Sequence, residues 1–124
     1  FWHDSTGVMK AGNADSEAIA TAIQNLPECV DVQLNAIVGF GLITSAYRDA
    51  LAYVAMAKPK VALPTHHDAW TPGIGGGAAA YENSWLNAVG KLPQPPVVDY
   101  LRDPVDYMKP RSYNIHDTRW AGGC

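Results

Sequence analysis

The sequence predicts an α/β fold of mostly parallel strands with helices packed on one face. Three observations carry that expectation. Short runs of β-type apolar residues alternate with segments of helical periodicity, an order that favours parallel strands joined by crossovers. The 124 residues are 48% hydrophobic, the size and apolar content of one domain with a core of its own. Two of the apolar runs end in histidine and aspartate, the layout of a sheet that delivers functional groups at the carboxyl ends of its strands.

Taken in order, Phe1-Trp2-His3-Asp4 reads as the end of a first strand, and residues 7–14 as a loop. Asp15-Ser16-Glu17 suits a helix N-terminus, and Ile19, Ala22, Ile23 and Leu26 follow at i, i+3, i+4 and i+7, which predicts a buried helical face closed by Pro27. From Val30 the pattern alternates, placing Val30, Val32, Leu34 and Ala36 on one face of a strand that breaks at Gly39-Phe40-Gly41. Thr44 or Ser45 is the expected cap of a second helix, whose face is Tyr47, Ala50, Leu51 and Val54. Lys60 to Thr65 is the third strand. The glycine-rich loop over residues 70–77 leads into a third helix through Ala78, Tyr81, Trp85, Ala88 and Leu92. Pro93, Pro95 and Pro96 stiffen the next connection, Val97 to Leu101 is a short edge strand, and the remainder is irregular. The organisation is a single domain or half-domain, with an α/β core over residues 1–92 and a tail over residues 93–124.

Composition excludes several classes. The net charge is −3 and the nine Lys and Arg are scattered, so no basic stripe offers itself to nucleic acid. No apolar run approaches the length that spans a bilayer, and residues 1–10 lack the charged and apolar regions of a signal peptide, which marginally favours the cytoplasm. Cys29 reads as a small buried residue and Cys124 as a terminal thiol. The alternative, a bridge between them, would close a loop of roughly 95 residues, stabilising by about 4 kcal/mol on the chain-entropy account. A first residue Phe1 in what reads as the end of a strand suggests a piece of a longer polypeptide.

The chemistry is expected in Val61-Ala62-Leu63-Pro64-Thr65-His66-His67-Asp68 and in His3-Asp4-Ser5-Thr6-Gly7. A divalent metal takes imidazole nitrogen and carboxylate oxygen, and a catalytic site leaves a position for a water of lowered pKa. Asp4 and His66 are the candidate ligands. In the plainer account Asp4 caps the loop that follows it and His66 is a hydrogen-bonded residue at a strand end. His67 and Asp68 are either groups that orient the ligands or a surface pair. Gly73-Ile74-Gly75-Gly76-Gly77-Ala78 loosely satisfies a dinucleotide-binding pattern, but the tight strand-to-helix turn is missing, and a mobile flap over the site is the simpler reading. No G-x-S-x-G elbow points to serine chemistry.

These two stretches resemble the last two metal motifs of the metallo-β-lactamase superfamily, in particular its lactonase-like hydrolase branch, and the helix, strand and helix between them match the C-terminal half of that family. The resemblance spans residues 1–75 well and the tail loosely. It implies the C-terminal half of an αββα sandwich, with Asp4 as the metal-bridging aspartate and His66 as the last histidine ligand. It further implies zinc, or manganese or iron, and a metal-bound hydroxide acting on an ester, lactone, amide or phosphoester of a small molecule, with Asp4 orienting the nucleophile and His67 as proton donor. The His-x-His-x-Asp-His signature is absent from this chain. The implied site is therefore incomplete without an N-terminal half, and the chain by itself is expected to bind metal weakly and catalyse little. The missing half also leaves one sheet face bare, to be covered by that complementary chain or by self-association. The rival expectation is a non-catalytic α/β interaction subunit with structural His-Asp pairs.

Overall fold

A computed structural model describes residues 1–3, 7–38, 46–67, 79–114 and 116–120. Among these, four strands form one all-parallel sheet in the order β1 (Trp2–His3), β2 (Val32–Ala36), β3 (Val61–Thr65) and β4 (Val97–Val98). Among the described residues the connections carry the helices α1 (Ala14–Gln24), α2 (Arg48–Ala57) and α3 (Ala79–Val89). The fold is thus α/β with sequential parallel strands, consistent with half of an α/β sandwich. No helix among the described residues is long and apolar enough to cross a membrane.

The register assigns the two faces of the sheet. Gln33 lies level with Ala62 and Val98, and His3 with Asn35 and Pro64. Successive strand side chains point to opposite faces, so these residues share the face that the helices cover. Val98 packs with Val54 of α2 and with Trp85 and Val89 of α3, in a core completed by Ile37, Tyr47 and Ala50. Trp85 is fully buried and meets Tyr47 edge-on at 5.2 Å between ring centroids. A second cluster, Ile23, Val30, Tyr53 and Ala57, joins α1 to α2.

The opposite face carries Trp2, Leu34 and Leu63 in one row and Val32, Val61 and Val97 in the next. Tyr113 of the tail covers Val61 and Leu63, anchored by its hydroxyl donating to Asp99 at 2.6 Å. Trp2 remains 67% and Leu34 39% exposed.

The expected alternation of β2 is present: Val32 and Leu34 share the outward face, while Gln33 and Asn35 are fully buried against the helix layer. One expectation about an apolar face changes. In α1, Ile19, Ala22 and Leu26 are exposed, and the inward line is Ser16 and Ile23 with Ala20 half-buried. This helix touches α2 along one side, and its N-terminus is capped by Asn13, which accepts from the Ser16 amide at 2.9 Å, while Ser16 Oγ donates to Val8 O and so ties the helix to the loop before it. The expected caps Thr44 and Ser45 lie outside the described residues. The N-cap position of α2 is Tyr47, whose side chain makes no capping bond, and the helix ends at Lys58 in the left-handed conformation (φ 44°), turned by Pro59 behind it. The edge strand is shorter than expected, Val97–Val98. The tail forms 3-10 turns at Pro104–Met108 and Thr118–Trp120. Cys29 is not the small buried residue expected but is exposed and disulfide-bonded; Cys124 lies outside the described residues.

Candidate functional site at the carboxyl edge of the sheet

Parallel strands in sequential order bring the carboxyl ends of β1, β2 and β3 to a single edge. Neighbouring strands lie about 4.8 Å apart, so the ends of β1 and β3 are separated by roughly 10 Å with β2 between them. His3 closes β1 and His66 follows directly on β3. Asp4 and Asp68 lie outside the described residues, as does the whole glycine-rich stretch at 73–78. The edge itself is where the sequence motifs converge.

His66 adopts φ 57°, the left-handed region that costs a non-glycine residue about a kilocalorie or more per mole. The chain thereby turns sharply off the sheet at the residue singled out as a ligand, leaving its imidazole half-buried at the rim. His67, the next residue, goes the other way. It is 3% exposed, its Nε2 donates to the Leu101 carbonyl at 3.1 Å, and its ring lies 4.8 Å from that of Tyr100. Since a carbonyl only accepts, this bond fixes the Nε2–H tautomer and leaves Nδ1 as a buried acceptor with no partner among the described residues. In this arrangement His67 ties the end of β3 to the tail. Asp117, which follows His116 in a further His-Asp pair, belongs to the surface: it pairs with Arg119 at 2.7 Å, which holds its carboxyl below the usual range.

Beneath the edge runs a polar layer that was not among the expected site residues. His3 stacks on Tyr53 of α2, with ring centroids 4.4 Å apart, and accepts at Nε2 from Gln33 Nε2 at 3.2 Å. Burial, and then the nearby Asp49 carboxylate, push the Tyr53 phenol up from its ordinary value. Asp49, 1% exposed, accepts from the Met9 amide at 3.0 Å and from Arg48 Nε at 2.8 Å, fastening the chain that returns from β1 to α2. Asn35 is fully buried, and neither its amide nitrogen nor its amide oxygen has a partner among the described residues; Gln33 Oε1 and Thr65 Oγ1 are in the same position. The signal for this layer lay in the alternation itself. The polar members of β2 at 33 and 35 are amides, groups that a buried site can hold uncharged.

No protein-family model, curated protein or solved structure matches this chain.

His66 stands at the rim, while the unpaired polar atoms of Asn35 and Thr65 lie at the ends of β2 and β3 on opposite faces of the sheet. No group of three or more His, Cys, Asp or Glu capable of holding a metal occurs among the described residues, so these by themselves do not amount to a four-ligand zinc centre.

Proposed function

We propose that this chain is the C-terminal half of a metal-dependent hydrolase of the metallo-β-lactamase type, acting on an ester, lactone, amide or phosphoester of a small molecule. The observation that supports the reading is that His3 and His66 stand at the carboxyl ends of β1 and β3 on one sheet edge, above unpaired buried polar groups. Bound there, a divalent cation, zinc or else manganese or iron, would polarise the substrate oxygen and supply a nucleophilic water at neutral pH. Within this chain Asp4 and His66 hold the cation, and Asp4 also orients the nucleophile. A proton-donor role for His67 requires its bond to the Leu101 carbonyl to open. The rest of the ligand set comes from a complementary N-terminal half, whose sheet covers the face bearing Trp2 and Leu34.

The test is a metal analysis of the purified protein with any chain that copurifies, paired with hydrolysis of a panel of small esters, lactones and phosphoesters. Stoichiometric transition metal, and a loss of at least 100-fold in hydrolysis with His66→Ala, are expected. Absence of metal, with activity indifferent to His66→Ala, refutes the reading. It then favours the second one, a non-catalytic α/β subunit, which rests on the exposed apolar pair Trp2 and Leu34. His67→Asn separates the two tasks of that residue: loosening of the tail with hydrolysis retained marks it as structural.

A further inference from the structure

The tail crosses the outward face of the sheet from one edge to the other. At the carboxyl edge it is fastened through His67, which bonds the Leu101 carbonyl, while the Tyr107 hydroxyl stands 3.4 Å from the same nitrogen. In mid-course Tyr113 packs on Val61 and Leu63 and donates to Asp99 at 2.6 Å. At the amino edge Arg119 lines one groove with Tyr113 and with Val61 and Val97, the residues that open β3 and β4. Cys29 belongs to that same edge: the carbonyl of the next residue, Val30, accepts from the amide of Lys60, the neighbour of Val61, at 3.0 Å. Cys29 is disulfide-bonded, and the sequence holds one other cysteine, Cys124, five positions after Arg119. Five residues reach about 17 Å when extended, enough to run along the edge from β3 and β4 towards Cys29.

We propose that Cys29 is bonded to Cys124 and that this bridge is a redox-operated latch, which holds the tail as a strap over the outward face of the sheet. It is independent of the hydrolase reading. Apart from the bridge, the grip on the far half of the strap is slight: the Tyr113 ring, its bond to Asp99, and an ion pair from Arg111 to Asp99 at 3.5 Å. A partly exposed ion pair of that length holds weakly. Cys29 is exposed, so a small thiol or dithiol reaches the bridge. The first thiolate attacks one sulfur, forming a mixed disulfide and releasing one protein thiolate; a second attacks the mixed disulfide and releases the other. Two electrons pass to the protein, the two protons of the reductant end on Cys29 and Cys124, and the reductant leaves as its own disulfide. With the latch open the tail lifts, and Val61 and Leu63 join Trp2 and Leu34 as bare surface. An oxidising compartment keeps the strap shut.

The experiment has two parts, both on the full chain. Peptide mapping of the unreduced, alkylated protein by mass spectrometry reads the connectivity, and a peptide holding Cys29 joined to one holding Cys124 is expected. Hydrogen exchange is then compared between oxidised protein, protein reduced with dithiothreitol, and Cys124→Ser. On reduction, residues 110–120 should lose protection at least 10-fold while α2 and β2 keep theirs. Cys124→Ser should match the reduced protein from the start and respond no further to dithiothreitol. A free Cys29 thiol, or a Cys29 bridged to a second copy, overturns the proposal. So does a tail whose protection is indifferent to reduction. Loss of protection throughout the chain also overturns it, since the bridge would then hold the whole fold and not a strap. None of these results bears on metal or hydrolysis.

Discussion

Trp2→Lys is the sharpest perturbation of the bare sheet face. Trp2 is 67% exposed, on a row with Leu34 and the tail-covered Leu63. In the isolated chain, little packing is lost when it changes, and exposed substitutions usually move stability by less than about 0.5 kcal/mol. If a second sheet covers the face, the remaining two thirds of the side chain leave water. A tryptophan buries about 150–250 Å² in all, so about 100–170 Å² is at stake, or about 2.5–4 kcal/mol at 25 cal/mol per Å². One factor of ten in affinity is about 1.4 kcal/mol, so Trp2→Lys should weaken association by about two to three powers of ten. Sedimentation equilibrium across a concentration series reads the association, and urea unfolding of dilute protein reads the stability. A wild type that stays monomeric at every concentration and copurifies with nothing refutes the reasoning. So does a Trp2→Lys protein that loses several kcal/mol while dilute, since that would mean the side chain is already packed.

Two further outcomes follow from the packing. Trp85→Ala, at the fully buried centre of the core that joins α2 and α3, should cost about 3–5 kcal/mol in chemical denaturation, whereas Trp85→Phe should cost far less, because it also removes an indole N–H with no partner among the described residues. Acid should loosen the tail: Arg102, bonded to Glu82 at 2.6 Å, holds that carboxyl below its usual value of 4.5, and Lys109 does the same for Asp106. A depressed folded-state pKa stabilises above the unfolded value and loses that contribution as pH falls through the folded one. The tail's hydrogen-exchange protection should therefore be constant near neutrality and decline below about pH 4.5, with Arg102→Gln flattening that decline; a decline unchanged in Arg102→Gln would exclude the pair as its cause.

Element order and sheet polarity were legible in the residues, because both rest on local patterns. Alternation marked β2, the Lys60-to-Thr65 run marked β3, and helical spacing marked Tyr47 through Val54. A chain that alternates strand and helix gathers its strand ends, and with them His3 and His66, on one edge.

Periodicity divides an element into two sides without saying which side the rest of the molecule will cover, and here tertiary packing decided that. The helix layer closed over Gln33 and Asn35 and left Leu34 outside, because His3, Tyr53 and Gln33 form a polar stack that holds β2 in that orientation. Likewise the stripe of Ile19 and Leu26 stayed exposed, since α1 has a neighbour on a single flank. His67 was drawn inward by Leu101, a partner 34 residues away that no local pattern announces. The sequence by itself determined the elements, their polarity and the edge where the chemistry gathers. Only the assembled structure chose which faces are covered and which histidine remains at the rim, because those outcomes depend on contacts between residues distant along the chain.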